Sequence, residues 1–158
     1  PPEVPPDRYA YGERVTLVET NFDTATGQEV GDLIDRLFSR GVLDVWTTPI
    51  QMKKSRPGVK LSVLVQGSGV GTAMEILRNS PTFGVRFQNM ARLILPREIK
   101  EVQTRFGAIR CKVGFMNDRA IRAAPEYEDV AAAARRAKVP FDVVHLAASE
   151  AGRRLLDE

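Results

Sequence analysis

Glu19, Asn21 and Asp23 alternate along the run Glu19-Thr20-Asn21-Phe22-Asp23. An extended chain sets alternate side chains on one side, about 6.5–7 Å between neighbours. Three oxygen-bearing groups so placed suit a hard cation, Mg2+ or Mn2+, which takes few carboxylates and completes its shell with water and phosphate. The same residues also fit a solvent-exposed strand end in which Asp23 caps the following turn. Further along, Lys53, Lys54, Arg56 and Lys60 put four cations into eight positions around a Pro57-Gly58 turn. Such a loop offers several donors to a polyphosphate without a Walker loop, although a solvated turn is the plainer account. A chelated metal and cationic side chains are together what binding a nucleoside triphosphate requires. The expectation is that folding brings the strand end and the cationic bend to one triphosphate.

Three further stretches carry possible chemistry. Arg86, Arg92, Arg97 and Lys112 extend the basic surface. RNA is a competing ligand for it, but RNA platforms add exposed aromatics for stacking; here 7% of residues are aromatic, and Phe87 and Phe106 are expected to face inward. Pro125-Glu126-Tyr127-Glu128-Asp129 reads as a helix start, with Pro125 in the first turn and the acids at the positive helix end; Glu126, Tyr127, Glu128 and Asp129 could also form a second site for a metal or a cationic ring. Gly67-Ser68-Gly69-Val70-Gly71-Thr72 fails as a dinucleotide fingerprint, because the third glycine would fall at Thr72 and no acid follows about 20 positions on. A flexible connection with Ser68 as helix cap is expected instead.

The charge is unevenly placed. Residues 1–49 hold 4 basic and 9 acidic side chains, residues 50–113 hold 12 and 3, and residues 114–158 hold 7 and 8, for the overall +3. Clustered Lys and Arg repel unless neutralised, by an anionic ligand or by acids of the same fold. One cysteine, Cys111, and one histidine, His145, exclude a disulfide framework and a Cys/His zinc site within one chain. They fit a reducing, cytoplasmic setting. No apolar run approaches the ~18 residues of a membrane-spanning helix, and the proline-rich start, Pro1 to Pro6, reads as a linker from a longer polypeptide.

The elements that must position these groups follow from periodicity. Arg14 to Phe22 alternates as a strand. Thr26 and Glu29 have capping-box spacing, Val30, Leu33, Ile34, Leu37 and Phe38 repeat as a helix, and Gly41 stops it. Val42 to Gln51 and Val59 to Gln66 read as strands, with Pro49 at an edge. Val70 to Arg78 is a helix carrying Val70, Ala73, Met74 and Leu77, and Val85 to Leu95 a strand. This β-α-β-β-α-β order is α+β, a ferredoxin-like split βαβ core. A β-hairpin follows, Ile99 to Arg105 and Ala108 to Val113, with Ile109, Cys111 and Val113 facing in; Cys111 is thus a core residue rather than a nucleophile. Two C-terminal helices, Glu126 to Ala137 and Pro140 to Leu155, end the chain. The expected organisation is a linker over 1–13, the core over 14–96, the hairpin over 97–116 and a helical segment over 117–158.

Taken together these stretches resemble the C-terminal domain of LarC, the nickel insertion protein of nickel-pincer nucleotide cofactor biosynthesis. The matching residues are Glu19-Thr20-Asn21-Phe22-Asp23, Thr26-Gly27, Gly41 to Val45, Thr48 to Lys54, Arg56-Pro57-Gly58, Gly84-Val85-Arg86, Leu95-Pro96-Arg97 and Pro125 to Asp129. The resemblance implies a CTP-dependent nickel chelatase, or cyclometallase, of the lyase class. It would insert Ni2+ into pyridinium-3,5-bisthiocarboxylic acid mononucleotide as CTP becomes CMP and pyrophosphate. It further implies Glu19, Asn21 and Asp23 as ligands of the Mg2+ or Mn2+ accompanying CTP. Lys53, Lys54, Arg56 and Lys60 would be the triphosphate clamp, with Arg86 and Arg97 assisting. Partners would be the N-terminal region of the same protein and further copies of it, with no membrane and no nucleic acid. The chain departs from the family's pattern at Thr24 and Gln28, where acids are usual, and at Val130, where Cys is frequent. The competing functions are a non-catalytic, oligomeric nucleotide-sensing module and an RNA-binding domain.

Overall fold

The computed structural model describes residues 10–156, with side chains from residue 14. The chain divides into two units, Gly12–Arg92 and one built on residues 93–156. Residues 1–9 of the expected linker lie outside the described residues, and 10–13 already run as strand.

The first unit strings together β1 (Ala10–Phe22), α1 (Gly27–Ser39), β2 (Asp44–Met52), β3 (Arg56–Gln66), α2 (Val70–Arg78) and β4 (Arg86–Ile94). Its sheet has the order β2-β3-β1-β4, with β3 antiparallel to both β1 and β2. That is the ferredoxin-like arrangement. Period-two alternation divides the sheet into two faces. Val18, Phe22, Leu61, Val63 and Val65 meet Val30, Leu33, Leu37, Ala73 and Ile76 of the helices in one core. Each large side chain fully withdrawn from water there contributes about 1.5–3 kcal/mol. The capping box forms as read: the Glu29 amide donates to Thr26 Oγ1 (3.2 Å) and the Thr26 amide to Glu29 Oε2 (2.7 Å).

Three local readings are corrected. Pro57 and Gly58 lie inside β3, not at the turn, because the reversal occurs earlier in the short 3-10 turn Lys53–Ser55. There Lys54 and Ser55 take φ of 61° and 54°, and pairing resumes at once with Met52 opposite Arg56. Gly58 is needed for closeness rather than for turning: a Cβ there would stand 2.7 Å from both Met52 Sδ and the Phe22 carbonyl oxygen. Ser68 does not cap α2. Gly69 does, at φ 71°, and a Cβ on it would fall 2.9 Å from Val18 Cγ2 and 3.0 Å from Thr16 Cγ2. This close seat turns Ala73 and Ile76 inward and leaves Val70, Met74 and Leu77 exposed. Buried Glu75 is satisfied by Arg40 Nη2 at 2.7 Å and by Asn79 Nδ2 at 2.8 Å.

The second unit contains β5 (Arg97–Thr104), β6 (Gly107–Met116), β7 (Arg119–Pro125), α3 (Tyr127–Ala137) and α4 (Phe141–Arg153). The antiparallel sheet β5-β6-β7 extends the expected hairpin by a third strand. Asn117 and Asp118, with φ of 51° and 61°, form the two-residue reversal that feeds it, a mirror-image turn matched to strand twist. Pro125 therefore ends β7, opposite Cys111, and Glu126 is the N-cap of α3. Val102, Ile109 and Cys111 pack against Val130, Ala133, Ala134, Val144 and Ala148. Cys111 is fully buried, and burial, with the nearby carboxylates of Glu126 and Asp129, pushes its thiol up, as expected of an inert core cysteine. No helix among the described residues is long and apolar enough to cross a membrane.

Candidate functional site

The first unit's second sheet face carries the expected groups. Residues directly opposite in neighbouring strands share a face, and the register makes a grid. Glu19 of β1 stands opposite Ser62 of β3, which stands opposite Trp46 of β2; Asn21, Lys60 and Thr48 form the next row. Lys60 Nζ reaches Glu19 Oε1 at 2.8 Å, Arg86 Nε reaches Glu19 Oε2 at 3.2 Å, and Ser62 Oγ donates to Glu19 Oε1 at 3.0 Å. Arg86 Nη2 donates to Asn21 Oδ1 at 3.1 Å, and Arg56 Nη1 lies 3.3 Å from Asp23 Oδ2. The bond from Lys60 holds the Glu19 carboxyl below its ordinary range against the opposing pull of desolvation, with Ser62 and Arg86 adding to it.

The acidic strand end and the cations thus meet on one face as an interlocked set of ion pairs. Lys53 and Lys54, exposed at the hairpin tip, make no ion pair among the described residues. With Arg56, Lys60 and Arg86 they leave cations in excess of Glu19 and Asp23. Below the face, buried Thr20 bonds Thr82 Oγ1 (2.7 Å) and the Gly84 carbonyl (2.9 Å), and Thr16 bonds Asn89 Oδ1 (3.0 Å) and the Gly67 carbonyl. These bonds fix β1 against the segment that presents Arg86. Phe87, expected inside, is 54% exposed.

Two residues escape the sequence reading. Ser62, fully buried, fixes the Glu19 rotamer. Trp46, the chain's one tryptophan, is 40% exposed on the same face. Both become visible once Glu19 is aligned with its strand partners, an alignment that depends on pairing between strands far apart in sequence.

Arg97 and the Pro125 to Asp129 run belong to the second unit. Asp129 accepts from the Arg110 amide (2.9 Å), Nε (2.9 Å) and Nη2 (2.7 Å), while Glu126 pairs with Lys112 at 3.0 Å. These bonds fasten the start of α3 to β6. Tyr127, 66% exposed, lies 5.3 Å from the ring of Phe141, and Glu128 is exposed. Among the described residues no three His, Cys, Asp or Glu side chains converge as a metal cluster.

The Arg110 guanidinium and amide hold the Asp129 carboxyl at about 2. A folded-state value below the ordinary 3.8 stabilises the fold above pH 4, and that contribution fades as pH falls toward 2. Asp129→Asn is expected to cost about 1 kcal/mol at pH 7, after allowance for the exposed arginine, and only a small fraction of that at pH 2, where the carboxyl is half protonated in the folded chain. Urea unfolding at the two pH values measures it; an equal loss at both would mean that packing, not charge, is what Asn disturbs.

Residues 6–145 match the family described as nickel insertion protein. The chain belongs to that family. A relative in Myxococcus xanthus is 43% identical over 140 residues, 88% of this chain and 36% of its own length. The pyridinium-3,5-bisthiocarboxylic acid mononucleotide nickel insertion protein of Geobacillus kaustophilus is 40% identical over 148 residues, 92% of this chain and 36% of its own length. The chain thus spans about a third of these nickel insertion proteins. Among solved structures it resembles the apo C-terminal domain of a cyclometallase involved in synthesis of the NPN cofactor of lactate racemase, with a TM-score of 0.83 and 37% identity, covering 87% of this chain and 96% of that one. The LarC resemblance is thereby borne out.

Proposed function

We propose that this chain is the CTP-binding part of an enzyme that inserts Ni2+ into pyridinium-3,5-bisthiocarboxylic acid mononucleotide while CTP becomes CMP and pyrophosphate. The observation that carries the reading is the grid of β1, β3 and β4, in which Glu19, Asn21, Asp23, Arg56, Lys60 and Arg86 share one face. Lys53, Lys54, Arg56, Lys60 and Arg86 hold the phosphates through charge-assisted bonds. Trp46 offers a flat surface to the base.

The hard oxygens of Glu19, Asn21 and Asp23 fit Mg2+ or Mn2+ chemically, although each now faces a cation. These residues would hold such an ion, which would supply charge neutralisation at the triphosphate. As the phosphates arrive, Lys60, Arg86 and Arg56 exchange a carboxylate partner for a phosphate partner. Glu19 and Asp23 thus hold these three cations on the face ahead of the nucleotide, pre-positioned for charge developing on the leaving phosphates.

Calorimetric titration with CTP and Mn2+, beside ATP, GTP and UTP, tests the reading. Preferential CTP binding is expected; no binding of CTP at millimolar concentration overturns it. Glu19→Gln gives a second test with a sign. It frees Lys60 and Arg86 from a competing carboxylate and removes a hard ligand, so CTP affinity without metal should rise about threefold to tenfold while the gain from Mn2+ shrinks. Unchanged affinity under both conditions would take Glu19 out of the site.

A further inference from the structure

The open face of the second unit's sheet carries a separate cationic cavity of about 320 Å3, lined by Ile94, Leu95, Arg97, Lys112, Gly114, Arg122 and Ala124. Its geometry follows from register. Arg97 of β5 stands opposite Gly114 of β6, which stands opposite Arg122 of β7. Two arginines thus flank a residue without a side chain, their backbones two strand spacings, about 10 Å, apart. In the next row Lys112 stands opposite Ala124. The gap at Gly114 has a floor, because a Cβ there would lie 3.2 Å from Leu95 Cδ1. Lys112 pairs with Glu126 at 3.0 Å, whereas Arg97 and Arg122 make no ion pair among the described residues.

We infer that this cavity is a second anion site, which binds a phosphate monoester attached to a ring. The guanidiniums of Arg97 and Arg122 close on the phosphate from two sides, the fork geometry that suits arginine to that group, with the Lys112 ammonium as a third charge. Ile94, Leu95 and Ala124 give the ring an apolar bed. Two arginines brought toward one gap repel until an anion fills it, and an apolar floor with a charged rim suits a ligand apolar at one end and anionic at the other. Arg97 is thereby reassigned from the triphosphate clamp to this site. The ring's identity rests on the function proposed above: a nickel insertion reaction has two nucleotide reactants, and this site would take the phosphate of the pyridinium mononucleotide.

Nicotinic acid mononucleotide, a stable pyridinium mononucleotide, is the probe. Titrated into the 158-residue chain, it should bind saturably, be displaced by inorganic phosphate and persist when CTP is saturating. The double variant Arg97→Gln, Arg122→Gln should weaken it about tenfold or more, while CTP affinity stays within about twofold. Gly114→Leu, which fills the gap, should give the same loss by a different route, and circular dichroism checks that each variant is folded. Absence of binding, unchanged affinity in both variants, or displacement by CTP would overturn the inference. Arginine-dependent mononucleotide binding in a chain that binds no CTP would support this site and refute the triphosphate clamp, so the two readings fail separately.

Discussion

Lys60→Ala and Arg86→Ala are each expected to weaken CTP binding about 10- to 100-fold. A charge-assisted hydrogen bond is worth about 1.5–3 kcal/mol, and 1.4 kcal/mol is a factor of ten in affinity. Both side chains are held on the face before ligand arrives, Lys60 by Glu19 alone and Arg86 by Glu19 and Asn21. They already stand on the face, which limits the conformational freedom lost on binding, while the Glu19 contacts given up in exchange keep the effect within that range. Lys53→Ala and Arg56→Ala should each cost about tenfold, because Lys53 lies at the exposed tip and Arg56 makes one 3.3 Å contact. Arg36→Ala, on an exposed α1 pair with Asp32, is the control and should change affinity less than about twofold. Calorimetry with CTP and Mn2+ measures the series; retention of affinity in both Lys60→Ala and Arg86→Ala would move the clamp off this face.

Gly58→Ala should lower stability by about 2–3 kcal/mol and the melting temperature by roughly 5–10 °C. Its new Cβ would press on the Phe22 carbonyl oxygen and on Met52 Sδ, each at 2.7 Å. Methionine can swing aside, but the backbone carbonyl of Phe22, in the last β1 residue paired with β3, cannot do so without moving the strand. Relief requires β1 and β3 to separate at the very end that carries Asp23 and Arg56, so CTP affinity should fall as well, although no ligand group has been removed. Thermal unfolding followed by circular dichroism measures the first effect. Wild-type stability would show that the strands part there at no cost.

The elements most legible in the sequence are those whose information is local. The capping box at Thr26 and Glu29 and the Val30-Leu33-Leu37 stripe define α1 within one short window. Alternation around Ile109, Cys111 and Val113 likewise marks β6. The readings that failed depend on partners distant in sequence. Pro57-Gly58 has a turn's composition, yet Gly58 serves the passage of Phe22 from another strand. The burial of α2 follows from where Gly69 lets it rest on β1, which its own Val70, Met74 and Leu77 do not reveal. β7 escaped because Arg119–Pro125 is short and rich in alanine, a poor strand former; the Asn117-Asp118 pair before it was the signal available. In the candidate site, alternation put Glu19, Asn21 and Asp23 on one side, but only register shows each of the three side chains engaged by Lys60, Arg86 or Arg56. The Pro125 to Asp129 run shows the same limit, since its bonds to Arg110 and Lys112 of β6 cannot be read from the motif itself.

The most direct measurement is a crystal structure of the chain with CTP and Mn2+ bound. It should show the triphosphate lying over β1 and β3, Lys60 and Arg86 turned from Glu19 to phosphate oxygens, and the base near Trp46. Nucleotide density elsewhere, with the contacts from Lys60 and Arg86 to Glu19 intact, would contradict the assignment of this face.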